Sequence, residues 1–393
     1  MTQWRTARLE DVAQILGGGT PSRTKQSYFG GGIAWATPTD ITKLDQLYIS
    51  ETKETVSEEG LRNSSTKLMQ AGVVLLTSRA TIGFTAISTV PICTNQGFIN
   101  FICGPDLVPE YLAYWLRTQR DKMIQHAGGT TFKEIARGTL RRFEISVPPL
   151  PAQRRIVDLL SRADGIVRLR RYAEKKTAEL IPALFLDMFG DPATNPKGWP
   201  TRKVSEFVTR FEGGKNIQAG SENGSPYHIL KVSAATSGVY RESESKPAPD
   251  GYKPPVGHIV RTGDMLFSRA NTVELVGATT IVERTDGKTL LPDKLWRFVW
   301  AEPVQPAYMH ALFQSSHVRR ELGKLSSGTS ASMRNISQAK LFGLSLPVAP
   351  HVAQKDFSER AAMIHSIQSQ QSTAIAKAQA TFDSLLSTAF SIH

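Results

Sequence analysis

Short apolar runs bounded by glycine or proline alternate along the chain with longer stretches whose apolar positions recur at helical spacing. One apolar run leads from Gly72 to Ser78-Arg79 and another from Gly263 to Ser268-Arg269, and each predicts a buried strand. Pro109-Glu110-Tyr111-Leu112 and Pro306-Ala307-Tyr308-Met309 each enter a helical pattern, while Val147-Pro148 and Leu346-Pro347 each close a short alternating strand. Upstream, Trp4 precedes Leu9-Glu10-Asp11-Val12 and Gly17-Gly18-Gly19-Thr20-Pro21, as Trp199 precedes Val204-Ser205-Glu206-Phe207 and Gly213-Gly214-Lys215. Gly129-Thr130 is matched by Gly328-Thr329. The same elements in the same order make the chain an internal repeat with a period of about half its length.

The repeat is clearest after the two strand-closing prolines. Gln153 recurs as Gln354, 201 positions on, and the register then holds without a gap to Phe189 and Phe390. Ala163, Ile166, Arg170, Ala173, Thr177, Leu180 and Leu184 recur at spacings of three and four. The same offset gives Ile364, Ile367, Gln371, Ala374, Ala378, Thr381 and Leu385. Such a seam is the pattern of helices that pack along their length, with the polar pair Arg170 and Gln371 available to set register. Pro182 should bend or divide the first helix, because it lacks a backbone donor. The run from Gly190 to Gly198 is a turn-rich linker. The expected fold class is α+β: two similar mixed α/β domains, each followed by a long helix, the two helices pairing as an antiparallel coiled coil. The expected boundaries are 1–149 for the first domain, 150–190 for its helix, 191–198 for the linker, 199–348 for the second domain and 349–393 for the second helix.

Composition fits this plan. A chain of 393 residues, 40% hydrophobic and 8% aromatic, has enough apolar material for packed cores and is no disordered segment. The net charge of +12 changes the picture more, since a basic surface attracts polyanions and makes nucleic acid the natural partner. Cys93 and Cys103 lie in apolar strand-like runs and read as buried thiols of a reducing compartment. Residues 1–14 hold no apolar core of a signal peptide, and no stretch approaches the roughly 20 apolar residues of a membrane span. A cytoplasmic protein is expected.

A DNA-modifying enzyme would need a catalytic constellation. Methylation of a base amine calls for a Gly-rich cofactor loop and an Asn/Asp-Pro-Pro-aromatic element to hold the flipped base. The Pro-Pro pairs here follow Val147 and Lys253, which supply neither amide nor carboxylate. Gly17-Gly18-Gly19 and Gly30-Gly31-Gly32 lack the spacing of a phosphate cradle, and no Gly-x-x-x-x-Gly-Lys-Ser/Thr is present. Pro249-Asp250 with Asp286-Gly287-Lys288 could be forced into a nuclease pattern, but Asp286-Gly287 reads as a hairpin turn. The eight histidines show no metal-ligand spacing. These observations favour a binder with no catalytic or metal residues. A self-contained methyltransferase or nuclease with an unfamiliar site, and a stand-alone DNA-binding regulator, are the alternatives.

The segment Val147-Pro148-Pro149-Leu150-Pro151-Ala152-Gln153-Arg154-Arg155-Ile156-Val157 resembles the element that ends a target recognition domain in specificity subunits of type I restriction-modification enzymes. Leu184-Phe185-Leu186-Asp187-Met188-Phe189-Gly190-Asp191-Pro192 with Asn195-Pro196-Lys197-Gly198-Trp199 resembles that family's junction into its second recognition domain. Gly18-Gly19-Thr20-Pro21 and Leu75-Leu76-Thr77-Ser78-Arg79 resemble recurrent pieces of the domain itself. The second copy departs from the pattern in Pro350-His351-Val352-Ala353-Gln354 and in Gly213-Gly214-Lys215, which lacks the Thr-Pro. The resemblance implies a non-catalytic subunit that binds double-stranded DNA at a bipartite, asymmetric site. It also implies two methyltransferase subunits and motor-nuclease subunits as partners, which would carry S-adenosylmethionine, ATP and Mg.

Base reading needs Arg, Lys, Asn or Gln at base edges, with Ser, Thr and backbone amides on phosphates. The candidates in loops flanking the first domain's strands are Thr20, Ser22, Arg23, Lys25, Ser78, Arg79, Thr130, Thr131 and Lys133. Those of the second are Lys215, Asn216, Ser268, Arg269, Asn271, Thr329, Ser330 and Arg334. Arg79 and Arg269 lead them, each following an apolar strand at matching places in the repeat. The helices would then act as a ruler: the 36 residues from Gln153 to Met188 span about 54 Å if helical, or about 16 base pairs.

Overall fold

The computed structural model describes residues 4–129, 133–221, 224–330 and 333–391, with 329 and 330 given by backbone alone. The chain divides into two compact units, Met1–Ala173 with Gln371–His393 and Glu174–Gln370.

The first unit is organised by the apolar run found in the sequence. Val74–Thr77 is the middle strand of a five-stranded sheet in the order Ala13–Gly17, Phe98–Cys103, Val74–Thr77, Thr85–Ser88, Tyr48–Ile49, antiparallel except for the last pair. Its side chains alternate between two cores. Val74 and Leu76 pack with Phe101, Tyr111, Leu112 and Tyr114, whereas Leu75 packs on the other face with Ile49, Ala86 and Phe98. A strand buried on both faces reads as an unbroken apolar run rather than an alternation. A three-stranded sheet pairs Phe29–Ala36 antiparallel with Glu54–Val56 and parallel with Ile92–Thr94. Arg5–Arg8 closes antiparallel on Glu144–Val147.

The second unit repeats this topology. Val208–Gly213, Leu295–Trp300, Met265–Ser268 and Thr279–Ile281 form an antiparallel sheet in that order. His228–Leu230 pairs antiparallel with Ser245–Pro247 and parallel with Thr289–Leu290, and Thr201–Lys203 closes on Ser345–Pro347. Both units are mixed α/β.

A buried glutamine joins each domain to its long helix. Gln153 Oε1 accepts from Val108 N–H at 2.8 Å, and Nε2 donates to Asp106 O at 2.7 Å and Pro148 O at 2.8 Å. Val108 is the N-cap of the helix Pro109–Thr118, whose first amides have no helical acceptor. Gln354 does the same, accepting from Gln305 N–H at 3.1 Å and donating to Ala349 O at 2.8 Å, with Gln305 the N-cap of Pro306–Gln314. Both glutamines are buried, at 0% and 3% exposure, so their bonds have no competing water.

The first long helix runs Leu150–Ala178 and resumes as Leu180–Phe189. The break falls where Pro182 cannot donate to the carbonyl of Ala178. Its repeat equivalent is Asp383, and there His351–Ser391 is one continuous helix. In the first unit Leu160, Val167 and Phe382 are buried with Ala163, Ala378 and Leu385 beside them. In the second, Phe185, Phe189 and Phe357 are buried against Leu184. The expected seam is corrected at four places. Ile166, Leu180 and Ile367 are 51%, 44% and 46% exposed, and Thr381 is exposed too. Val167 and Phe382, one residue later, take the buried positions of Ile166 and Thr381. Arg170, Ala173, Thr177, Ile364, Gln371 and Ala374 are half-buried.

Candidate nucleic-acid interface

In the first unit Ala13–Gly17, Phe98–Cys103 and Val74–Thr77 are neighbours and antiparallel. The end of the first, the start of the second and the end of the third therefore lie together, and their loops converge. Gly19 N–H donates to Thr94 O at 2.9 Å, the Thr20 hydroxyl donates to Gln96 Oε1, and Ser78 N–H donates to Gly97 O at 2.8 Å. A Cβ on Gly18 would stand 1.8 Å from Asn95 O, and one on Gly19 would stand 2.5 Å from Thr66 N, so close approach demands both glycines. Trp35 Nε1 and Thr66 Oγ1 both donate to Gly19 O, at 3.0 and 2.9 Å. A fourth segment lies alongside: Ile135 N–H donates to Ser78 O at 3.0 Å and Ala80 N–H to Lys133 O at 3.3 Å.

The second unit builds the same cluster from different residues. Gly214 N–H donates to Pro292 O at 3.0 Å, Arg269 N–H to Lys294 O at 3.1 Å, and Ile336 N–H to Arg269 O at 2.9 Å. Lys215 is bridged to Pro292, and Met333–Asn335 pairs with Ser327–Ser330 on one side and with Ala270–Asn271 on the other.

These bonds correct the matching of the two arginines. Thr77 donates its N–H to Phe84 O, and its carbonyl accepts from Gly83 N–H; Ser268 does both with Ala278 and Gly277. Thr77 therefore corresponds to Ser268, and Ser78 to Arg269, so the two Ser-Arg pairs are one residue out of register. Even so, both arginines brace the same segment. Arg79 Nη2 lies 2.6 Å from Glu134 Oε2, and Arg269 Nη1 lies 2.9 Å from Asn335 Oδ1, at the equivalent position of the repeat. Arg269 Nε also donates to Asp293 O at 2.7 Å.

Other candidates divide by what already holds them. Ser78 and Ser268, 1% and 0% exposed, have hydroxyls out of reach of any ligand, which corrects their place among the contacts. Arg23 forks onto Glu54 at 2.6 and 2.8 Å over the rings of Phe29 and Trp35, and its bonds hold the Glu54 carboxyl below its ordinary range. Arg334 braces its hairpin through Ser326 and Gly328. Asn271 Nδ2 contacts Ser268 Oγ at 3.4 Å, Ser22 pairs with Thr24 at 2.9 Å, and Lys25 donates to the Tyr28 hydroxyl at 3.1 Å. Thr20 is half-buried beside Gln96. Lys133, Lys215 and Asn216 are exposed. Thr130 and Thr131 lie outside the described residues, as do the side chains of Thr329 and Ser330.

Three residues of this surface were not among the candidates. Gln96 and Lys294 lie in the connecting segments at the centre of each cluster, and the exposed Arg137 has Nη1 3.2 Å from where a Cβ on Gly17 would be. Asn95-Gln96-Gly97 and Pro292-Asp293-Lys294 are turn signals between apolar runs, so a long polar side chain there was detectable. Among the described residues no group of three or more His, Cys, Asp and Glu could hold a metal, and no helix is long and apolar enough to cross a membrane. Asp286 caps its turn by accepting from Lys288 N–H at 2.7 Å, with Gly287 at φ 75°.

Residues 1–180 match the type I restriction modification DNA specificity domain. Over 245 residues, 61% of this chain and 54% of the relative, the sequence is 34% identical to the type I restriction enzyme MjaIX specificity subunit of Methanocaldococcus jannaschii. The match thus spans about half the length of that relative. Two solved structures share the fold. The S subunit of a type I restriction-modification system from M. genitalium aligns with a TM-score of 0.56 at 10% identity, covering 99% of this chain and 96% of that one. A chain solved in a study of complex assembly and conformational transition of the type I R-M system gives 0.62 at 18% identity, covering 99% and 98%. The chain thus carries a match to a type I restriction modification DNA specificity domain in its first half, builds the same topology again in its second, and is similar to specificity subunits of type I restriction enzymes.

Proposed function

We propose that this chain reads double-stranded DNA at a bipartite, asymmetric site, each unit presenting its loop cluster to one specified block. The observation that carries the reading is the recurrence of one four-segment cluster, built from different side chains, in both units. A shared scaffold with unlike loops is what two unlike blocks require, since base identity is read by side chains. The charge of +12 suits a duplex partner. The chain itself is non-catalytic in this reading. Two methyltransferase subunits and the motor-nuclease subunits carry the chemistry, with S-adenosylmethionine, ATP and Mg, in the cytoplasm.

Residues 1–149 and 199–348 serve as target recognition domains, and 150–190 and 349–393 as spacer helices joined by the linker 191–198. The helices pair as an antiparallel coiled coil that sets the gap between the blocks. Two bonds support that direction, Arg171 to Gln379 at 2.9 Å and Gln368 to the Thr177 carbonyl at 2.9 Å, because numbers rise on one helix as they fall on the other. The test is to replace residues 1–148 with the first domain of another family member and sequence the methylated sites of the assembled complex. One block should change and the other stay. Both blocks changing together would refute two independent readers, and methyl transfer by the purified chain alone would make it an enzyme.

A further inference from the structure

We infer that the segment entering the middle strand of each cluster is the base-reading element, with Gln96 reading an A·T pair in one block and Lys294 a G·C pair in the other. The inference rests on the DNA-reading function proposed above. Position comes first: Asn95-Gln96-Gly97 is bonded from both sides, by the Thr20 hydroxyl and by Ser78 N–H, so it forms the hub of its cluster. Pro292-Asp293-Lys294 occupies the same place, held by Gly214 N–H and by Arg269 through both its backbone and its guanidinium. Arg79, Arg269 and Arg334 beside these hubs are occupied as braces, on Glu134, Asn335 and Ser326. Reading therefore falls to side chains that are fixed in place yet keep polar groups to offer.

Gln96 meets both conditions. It is exposed, and its Oε1 accepts from the Thr20 hydroxyl. The second lone pair of Oε1 and both Nε2 hydrogens remain for a ligand. An acceptor beside a donor is the complement of adenine N6–H and N7 in the major groove. Lys294 offers something different. Its backbone is pinned by Arg269, while the side chain of this half-buried residue has no hydrogen-bond or ion-pair partner among the described residues. An ammonium has donors alone, which suits the two acceptors of guanine, O6 and N7. The exposed Lys133 and Lys215 flank the hubs, where they track phosphates without reading sequence.

The test uses the chain assembled with its methyltransferase subunits, with binding and methylation measured on a randomised duplex library. Gln96→Ala should lower discrimination at one A·T position by roughly 10- to 100-fold and leave the other block untouched. Gln96→Glu is isosteric, keeps the Thr20 bond and offers only acceptors, so preference at that position should move toward cytosine. Lys294→Met should relax a G·C position in the other block. Equal loss on specific and random DNA would make these residues phosphate contacts and overturn the inference. So would unchanged preference in a complex that still assembles, or relaxation at the opposite kind of base pair. A wild-type complex with no sequence preference would instead defeat the DNA-reading proposal itself.

Discussion

Removing the Gln153 side chain tests whether the joint between domain and helix holds the first unit together. Gln153→Leu keeps the volume close and deletes three bonds, of 2.7, 2.8 and 2.8 Å, at a fully buried position. Val108 N–H, at the head of its helix, then has no acceptor, at a cost of about 1–3 kcal/mol, and each carbonyl loses a bond worth about 0.5–1.5 kcal/mol. The sum is about 4 kcal/mol, or a fall in melting temperature of about 8–16 °C for a body of this size. Gln354→Leu deletes two bonds, one of them 3.1 Å long, and should cost about 2–3 kcal/mol. Gln153→Glu sharpens the test. Its carboxylate faces the carbonyls of Asp106 and Pro148, so folding favours the protonated form and raises its pKa. Stability is then present below the unfolded value of about 4.3 and lost as pH rises, so this variant should recover on acidification. Calorimetry would give the stabilities, and amide exchange across 104–118 would report the Val108 cap. A Gln153→Leu protein losing under about 1 kcal/mol with that amide still protected would refute the argument.

In the second unit Arg297, 5% exposed in its side chain, is shared between Glu212 at 2.5 Å and Asp264 at 2.9 Å. Arg297→Met should cost about 3 kcal/mol, because it takes the guanidinium from two carboxylates, while Glu212 keeps Arg210 at 2.6 Å and Asp264 keeps Arg261 N–H at 2.8 Å. The Arg297 bond, with Arg210 behind it, holds Glu212 below its usual range, so that stabilisation exists above the unfolded pKa of about 4.3 and fades as pH falls through the lower folded value; urea melts from pH 7 downward should show this acid limb in the wild type and a shallower one in the variant, where Arg210 remains. Burial, with His365 adding repulsion, pushes His310 down to about 4, and its Nδ1 lies 2.9 Å from Thr279 Oγ1. A depressed imidazole stabilises above the unfolded value of about 6.5 and loses up to about 3 kcal/mol as pH falls toward 4; His310→Asn should flatten stability across that window, and an unchanged slope would exclude His310 as its source. Inserting one heptad between Ala173 and Thr177 and another between Ala374 and Ala378 lengthens each helix by about 10 Å, so methylation-site sequencing should find a gap longer by about two to three bases; an unchanged gap would mean that something else sets the distance.

Features that depend on near neighbours were legible in the sequence, and those that depend on distant partners were not. Val74–Thr77 announced itself because both its faces are buried, and the division near Pro182 follows from one missing N–H. The seam went astray where two candidate positions are adjacent. Ile166 and Val167 are only about 100° apart on a helix, and periodicity alone cannot choose between them. The domain makes that choice on the other helix, where the Tyr114 ring packs 6.2 Å from Phe382 and leaves Thr381 outside. The Ser-Arg pairs failed for a related reason: identical dipeptides invite alignment, but pairing to Phe98 and Leu295 fixes the strands one residue apart. The structure also changes where recognition should be sought. Gln153, which recurs as Gln354, and the arginine that each unit sets against one shared backbone position, Glu134 or Asn335, have work in the scaffold, and a scaffold must stay constant to hold two clusters in one geometry. Readers of unlike blocks have the opposite requirement. By the strand register, Gln96 stands opposite Asp293 and Gly97 opposite Lys294, so the hub is where the copies differ in chemistry while agreeing in backbone bonds. Sequence likeness between the halves therefore marks the frame of this protein, and their disagreement at a shared backbone position is where we propose that the bases are met.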